Sequence, residues 1–136
     1  SSIIGIEKVS KSKIENYGII NGNPISSSLI NITDIIEKPP ANKAPTNLAV
    51  VGRYLFTPEI FDNLIKTKPK KNNEIQITDA IKTLLSEKPV LGYQFTGKRY
   101  DCGTPLGIFE ATIGINLNSP KINSQMKKII SNYINL

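Results

Sequence analysis

The sequence predicts an α/β fold, and three observations lead there. Short β-rich segments recur along the chain, the best of them the almost wholly apolar run at residues 48–56. Directly after it, Thr57-Pro58-Glu59 carries helix-start chemistry, and Thr104-Pro105 repeats the cap-then-proline pattern later. Apolar residues behind those starts recur three and four apart, as on one helix face. Strands that give way to helices in this manner make an α/β class.

The elements follow in order. Residues 3–9 read as a short strand, then a polar connector rich in lysine and serine. Tyr17-Gly18-Ile19-Ile20 is a second strand. Asn21-Gly22-Asn23-Pro24 has turn chemistry, since Asn and Gly tolerate positive φ and Pro halts pairing. Residues 29–37 suit a strand leaving that turn, so 17–37 is expected to be hairpin-like. Pro39-Pro40 ends it and makes the stretch to Pro45 a loop. The apolar run at 48–56 suits a strand covered on both faces. A helix capped by Thr57 then carries Ile60, Phe61, Leu64 and Ile65. After a lysine-rich loop at 66–73, a second helix capped by Thr78 carries Ile81, Leu84 and Leu85. Residues 90–95 form a strand. Thr104 caps a helix with Leu106, Phe109 and Ile113, and a last amphipathic helix from Asn123 or Ser124 carries Met126, Ile129, Ile130, Tyr133 and Ile134. No linker divides the chain, which is expected to be one domain over 1–136. About five strands are few for a doubly covered sheet, so the chain reads as part of a larger domain.

Composition narrows the function classes. Hydrophobic residues make up 39% and charged residues 21%, the profile of a globular chain. There are no histidines, which removes His-based triads and His metal clusters. The one cysteine cannot form an internal disulfide; with no apolar run of membrane length and no leader, this predicts a cytoplasmic protein without a membrane partner. The net charge of +6 could attract an anion. Arg53 and Arg99 are the only arginines, however, and the lysines are scattered, so nucleic-acid binding is not expected.

Several short segments can carry chemistry. Glu37-Lys38-Pro39 places an acid and a base at a strand end frozen by prolines. A carboxylate there can accept hydrogens from sugar hydroxyls, and an ammonium can sit on a phosphate. In isolation the tripeptide reads first as a solvated ion pair. Gly18 and Gly52 lie within strands, where glycine weakens pairing unless a ligand or another backbone comes close. Tyr100-Asp101-Cys102-Gly103 puts a carboxylate in a loop before a capped helix. It suits either Mg²⁺ or the backbone of its own turn. Cys102, with no His or second Cys, reads as a small packing residue.

Taken in order, these segments resemble one family. Tyr17-Gly18-Ile19-Ile20, Ile36-Glu37-Lys38-Pro39, Ala44-Pro45-Thr46-Asn47-Leu48-Ala49-Val50-Val51-Gly52-Arg53-Tyr54, Asn73-Glu74-Ile75-Gln76-Ile77-Thr78-Asp79-Ala80-Ile81 and Tyr100-Asp101-Cys102-Gly103 are similar to the C-terminal half of bacterial UTP–glucose-1-phosphate uridylyltransferases. The resemblance implies the C-terminal portion of a Rossmann-like nucleotidyltransferase fold with a mixed sheet. It further implies a reaction of glucose 1-phosphate with UTP, giving UDP-glucose and pyrophosphate with Mg²⁺, in a homo-oligomer. Gly18, Glu37, Lys38, Val51 and Gly52 fall on substrate-binding positions, and Asp101 on a metal position. The family's glycine-rich Gly-x-Gly-Thr-Arg-type loop and principal metal carboxylate do not occur here. The N-terminal nucleotide-binding half is therefore expected to be missing and the chain inactive alone. A sister enzyme using dTTP or ATP, or a non-catalytic sugar-phosphate-binding or oligomerisation module, are the alternatives.

Overall fold

A computed structural model describes residues 1–70 and 73–134. Lys71 and Asn72, part of the lysine-rich loop expected at 66–73, lie outside the described residues. The chain divides into two compact units, Ser1–Thr96 and Gly97–Leu136.

The first unit holds β1 (Ser2–Lys8), a 3-10 helix (Lys11–Asn16), β2 (Gly18–Pro24), β3 (Leu29–Glu37), β4 (Leu48–Leu55), α1 (Glu59–Lys66), α2 (Ile77–Leu85) and β5 (Val90–Gln94). Its strands close into a barrel in the order β1-β4-β2-β3-β5. Only β1 and β5 run parallel, from Ser2↔Val90 to Ile6↔Gln94; the other neighbours are antiparallel. The expected mixed sheet is thus present, but curled shut. Because β1 pairs with β4 on one side and β5 on the other, no strand is left as an edge.

Isoleucine dominates the core. Ile4 and Ile6 of β1, Ile20 of β2, Ile32 and Ile35 of β3 and Val90 of β5 are buried together with Ile60, Ile81 and Leu84 from the two helices. A smaller cluster of Val9, Ile14, Ile19 and Ala49 holds the 3-10 helix, with Ala41 and Ala44 of the following loop packed against it. Strand β4 serves both clusters, since Ala49 faces the small one and Val50 the large one. That is why its sequence lacks alternation, as the expected two-sided covering requires. The covering stops at Gly52, beyond which Leu55 is 73% exposed.

Three local expectations change. The turn expected at 21–24 lies four residues later, at 25–28: β2 continues to Pro24, and the Ile25 and Ser26 N–H groups donate to the Leu29 carbonyl. A register shift between Asn21 and Gly22 absorbs the irregular residues, with the Asn21 side chain accepting from Gly22 N–H. Gly22 is required by close backbone approach to Asn31, not by a turn. Second, neither Thr57 nor Thr78 is a side-chain cap. α1 begins after Pro58, and Thr78 lies inside the first turn of α2. Third, only one edge of the α1 stripe reaches the core: Ile60 is buried, while Phe61 and Ile65 are 66% and 83% exposed.

The second unit carries α3 (Pro105–Leu117) and α4 (Asn123–Ile134). Here the expected cap is present: the Thr104 hydroxyl accepts from Gly107 N–H at 3.1 Å, with Pro105 following. Lys98 pairs with Glu110 at 2.7 Å and lies over the Tyr100 ring. Leu106, Phe109, Ile129, Tyr133 and Ile134 are exposed.

Candidate functional site

One end of the barrel opens into a cavity of about 280 Å³, and its walls come from separate stretches of sequence. The 3-10 helix ends there in Asn16 and Tyr17. β2 begins with Gly18, and β3 ends with Glu37, paired to Gly18 across the ladder. β4 contributes Val50 to Gly52 and Tyr54, and the start of α2 contributes Gln76, Ile77 and Thr78. Four of the five substrate-binding positions expected from the sequence therefore meet in one space: Gly18, Glu37, Val51 and Gly52.

The fifth, Lys38, stands just outside. Its side chain is 61% exposed, and its Nζ lies 3.9 Å from Glu37 Oε1. The backbone of Lys38 has φ +44°, a left-handed conformation unusual for a residue with a side chain. It is held there by its N–H, which donates to Tyr17 O at 3.1 Å, against the extended backbone that the following proline favours. Strain of this kind persists only where surrounding structure enforces it. The loop beyond is pinned as well: Ala41 N–H donates to Glu15 Oε1, and the Thr46 hydroxyl donates to Ile20 O at 2.6 Å.

The two strand glycines have different causes. A Cβ at Gly18 would lie 3.1 Å from Thr78 Cγ2 and 3.3 Å from Glu37 Oε2. Any larger residue would push between those two groups and into the cavity. At Gly52 a Cβ would meet nothing, but φ is +70°, which excludes most side chains on conformational grounds. Tight packing is therefore not what requires glycine at position 52; its positive φ is.

Electrostatically the cavity is dominated by one carboxylate. Glu37 has a side chain 25% exposed. Burial, and then the charge of Glu37, push the Tyr54 phenol above its ordinary pKa. Tyr54 is fixed by stacking on Phe56, ring centroids 5.1 Å apart.

Thr78 is the residue the sequence reading misplaced. It is 4% exposed, and its hydroxyl has no hydrogen-bond partner. A buried hydroxyl left unpaired costs about 1–3 kcal/mol. Thr78→Val keeps the shape and removes the unpaired group. It is expected to raise stability in a urea melt by about 1 kcal/mol. A variant that loses stability instead would show that the hydroxyl is satisfied in the folded protein.

Asp101 lies in the second unit, in the turn before α3, where its Oδ1 accepts from Gly103 N–H at 3.0 Å. Cys102, expected as a packing residue, is exposed. Among the described residues no group of three or more His, Cys, Asp or Glu side chains is placed to hold a metal ion, and no helix is long and apolar enough to cross a membrane.

Comparison with known proteins places this architecture. A family model described as nucleotidyl transferase matches residues 2–116. A UTP–glucose-1-phosphate uridylyltransferase of Staphylococcus haemolyticus is 43% identical over 129 residues, covering 95% of this chain and 45% of the relative. Among solved structures, a UDP-glucose pyrophosphorylase complexed with UDP-glucose is 49% identical with TM-score 0.78, over 84% of this chain and 43% of that one. The UTP-bound enzyme of Acinetobacter baumannii is 35% identical with TM-score 0.82, over 96% and 45%. The chain spans less than half the length of the relatives it matches.

Proposed function

This chain belongs to the nucleotidyl transferase family, and from that premise we propose that it supplies the sugar-phosphate-binding part of a UTP–glucose-1-phosphate uridylyltransferase. The reading is carried by one observation: Gly18, Glu37, Val51 and Gly52, separate in the sequence, line a single cavity. Relatives named for this reaction, and a similar structure holding UDP-glucose, supply the identity of the ligand.

In this reading each residue has a distinct task. Glu37 accepts hydrogens from the sugar hydroxyls, and the Thr78 methyl, beside Gly18, packs against the ring. Gly18 leaves the floor low enough for the ring to approach the strand, and the Val51-Gly52 backbone lies along its other side. Lys38, at the rim, meets the phosphate. The phosphate oxygen of glucose 1-phosphate attacks the α-phosphorus of UTP in line, forming one P–O bond as the bond to the departing pyrophosphate breaks. Nothing in that step needs a covalent intermediate on the protein. Its contribution is orientation and cancellation of phosphate charge.

Mg²⁺ would supply further shielding of the phosphates. Such an ion commonly takes only one or two protein carboxylates beside phosphate oxygens, and a lone Asp101 on a turn fits that demand as one ligand. In this reading UTP is bound outside this chain, so the chain alone is expected to bind glucose 1-phosphate without forming UDP-glucose. We place the protein in the cytoplasm on its single cysteine. We expect it to form homo-oligomers through exposed side chains such as Ile129 and Tyr133, which light scattering would test.

The site is tested by following an NMR titration with glucose 1-phosphate. Glu37→Ala combined with Lys38→Ala should weaken binding by on the order of 100-fold, since a charged hydrogen-bond acceptor and a phosphate contact go together. Undiminished affinity in the folded double variant would remove the assignment.

A further inference from the structure

The charge of the cavity is one-sided, and this carries an inference about substrate class that rests on the sugar-phosphate reading above. Among the side chains lining the space, Glu37 is the one carboxylate, and none is cationic. The described cations nearby lie outside it. Lys38 stands at the rim, largely exposed, its ammonium 3.9 Å from Glu37 Oε1. Arg53 lines a different groove with Ile3, Tyr93 and Phe95. Lys70 pairs at 2.8 Å with Asp79, one residue beyond Thr78. The rest of the lining, Gln76, Ile77 and Thr78 among it, is uncharged. The space is therefore negative within and positive at its lip.

We propose that this cavity sorts sugar phosphates by the charge of their ring substituents. The phosphate sits at the Lys38 lip, neutral or cationic substituents are accepted beside Glu37, and a second anionic group is turned away. A uronic acid phosphate is the critical case. Its carboxylate replaces a hydroxymethyl group of nearly the same size, so steric fit cannot exclude it. Repulsion can: two like charges about 6 Å apart at an effective dielectric near 20 disfavour each other by on the order of 100-fold. Partial opening to solvent and the Lys38 ammonium 3.9 Å from Glu37 both lower that, leaving a penalty of about tenfold. An amino sugar phosphate changes the charge in the opposite direction at equal size, and gains.

The experiment titrates the 136-residue chain with α-glucose 1-phosphate, α-glucosamine 1-phosphate and α-glucuronic acid 1-phosphate, following amide shifts by NMR at low ionic strength. The amino sugar is expected to bind at least as tightly as glucose 1-phosphate, and the uronate about tenfold more weakly. In Glu37→Gln the glucose affinity falls, but the uronate penalty should shrink to within about twofold. A uronate that binds wild-type protein as well as glucose 1-phosphate does overturns the proposal while leaving the sugar site standing. A penalty that survives intact in Glu37→Gln overturns it equally. If none of the three ligands binds, the sugar-phosphate reading itself falls, and this inference with it. The wild-type comparison decides the matter even if the glutamine variant does not fold.

Discussion

Gly18→Val is expected to abolish glucose 1-phosphate binding, by on the order of 100-fold or more, in a chain that still folds. The first carbon added at this position would already lie 3.1 Å from Thr78 Cγ2 and 3.3 Å from Glu37 Oε2. Valine carries two further methyl groups. They have nowhere to go except into the cavity or against the two groups proposed to hold the sugar. The floor rises, Glu37 and Thr78 are forced apart, and the near-contact geometry that binding needs is lost. The cost to folding is smaller, because both obstacles are side-chain atoms beside open space; overpacking of this kind costs about 1–3 kcal/mol. Circular dichroism separates the two effects. A folded variant with wild-type affinity would show that the ligand does not approach β2 at this point.

Gly22→Ala is expected to have the largest effect on stability, about 3 kcal/mol or more, read from the midpoint of a urea melt. A Cβ there would collide with the backbone of Asn31 and come within 2.8 Å of Ile30 Cγ2. Unlike Gly18, this glycine faces backbone, which cannot rotate away. Relief requires β2 and β3 to separate at the register shift, and with them the hairpin that aligns Gly18 with Glu37. Against a total stability of about 5–15 kcal/mol for an ordinary domain, the loss is a large fraction. A melt within about 0.5 kcal/mol of wild type would mean that the two strands part at little cost.

Much of the fold was legible because it follows from local chemistry. The almost wholly apolar run at 48–56 announced a strand with two buried faces, and Ala49 and Val50 do serve opposite clusters. Thr104-Pro105 announced a helix start, and the hydroxyl caps it. The resemblance brought Gly18, Glu37, Val51 and Gly52 forward together, and the barrel assembles those four around one space. What misled was chemistry with two local solutions. Asn21-Gly22-Asn23-Pro24 suits a turn or an irregular strand, and Thr57 and Thr78 suit caps or interior positions. Only the partner across the sheet, or the cavity beneath the helix, chooses between them.

The sequence by itself determined the α/β class, the hairpin, the helix starts and the set of residues worth watching. These depend on spacing, on turn and cap chemistry and on ordered short segments, all of which are written along one dimension. The tertiary structure decided that the mixed sheet closes, since β1 must find both β4 and β5, far apart in the chain. It decided that Gly18 is set by its neighbours' atoms and Gly52 by its own φ. And it decided that the Thr78 hydroxyl is buried unpaired while Lys38 stays at the lip. Each is a matter of which distant surfaces meet, and no local pattern encodes that.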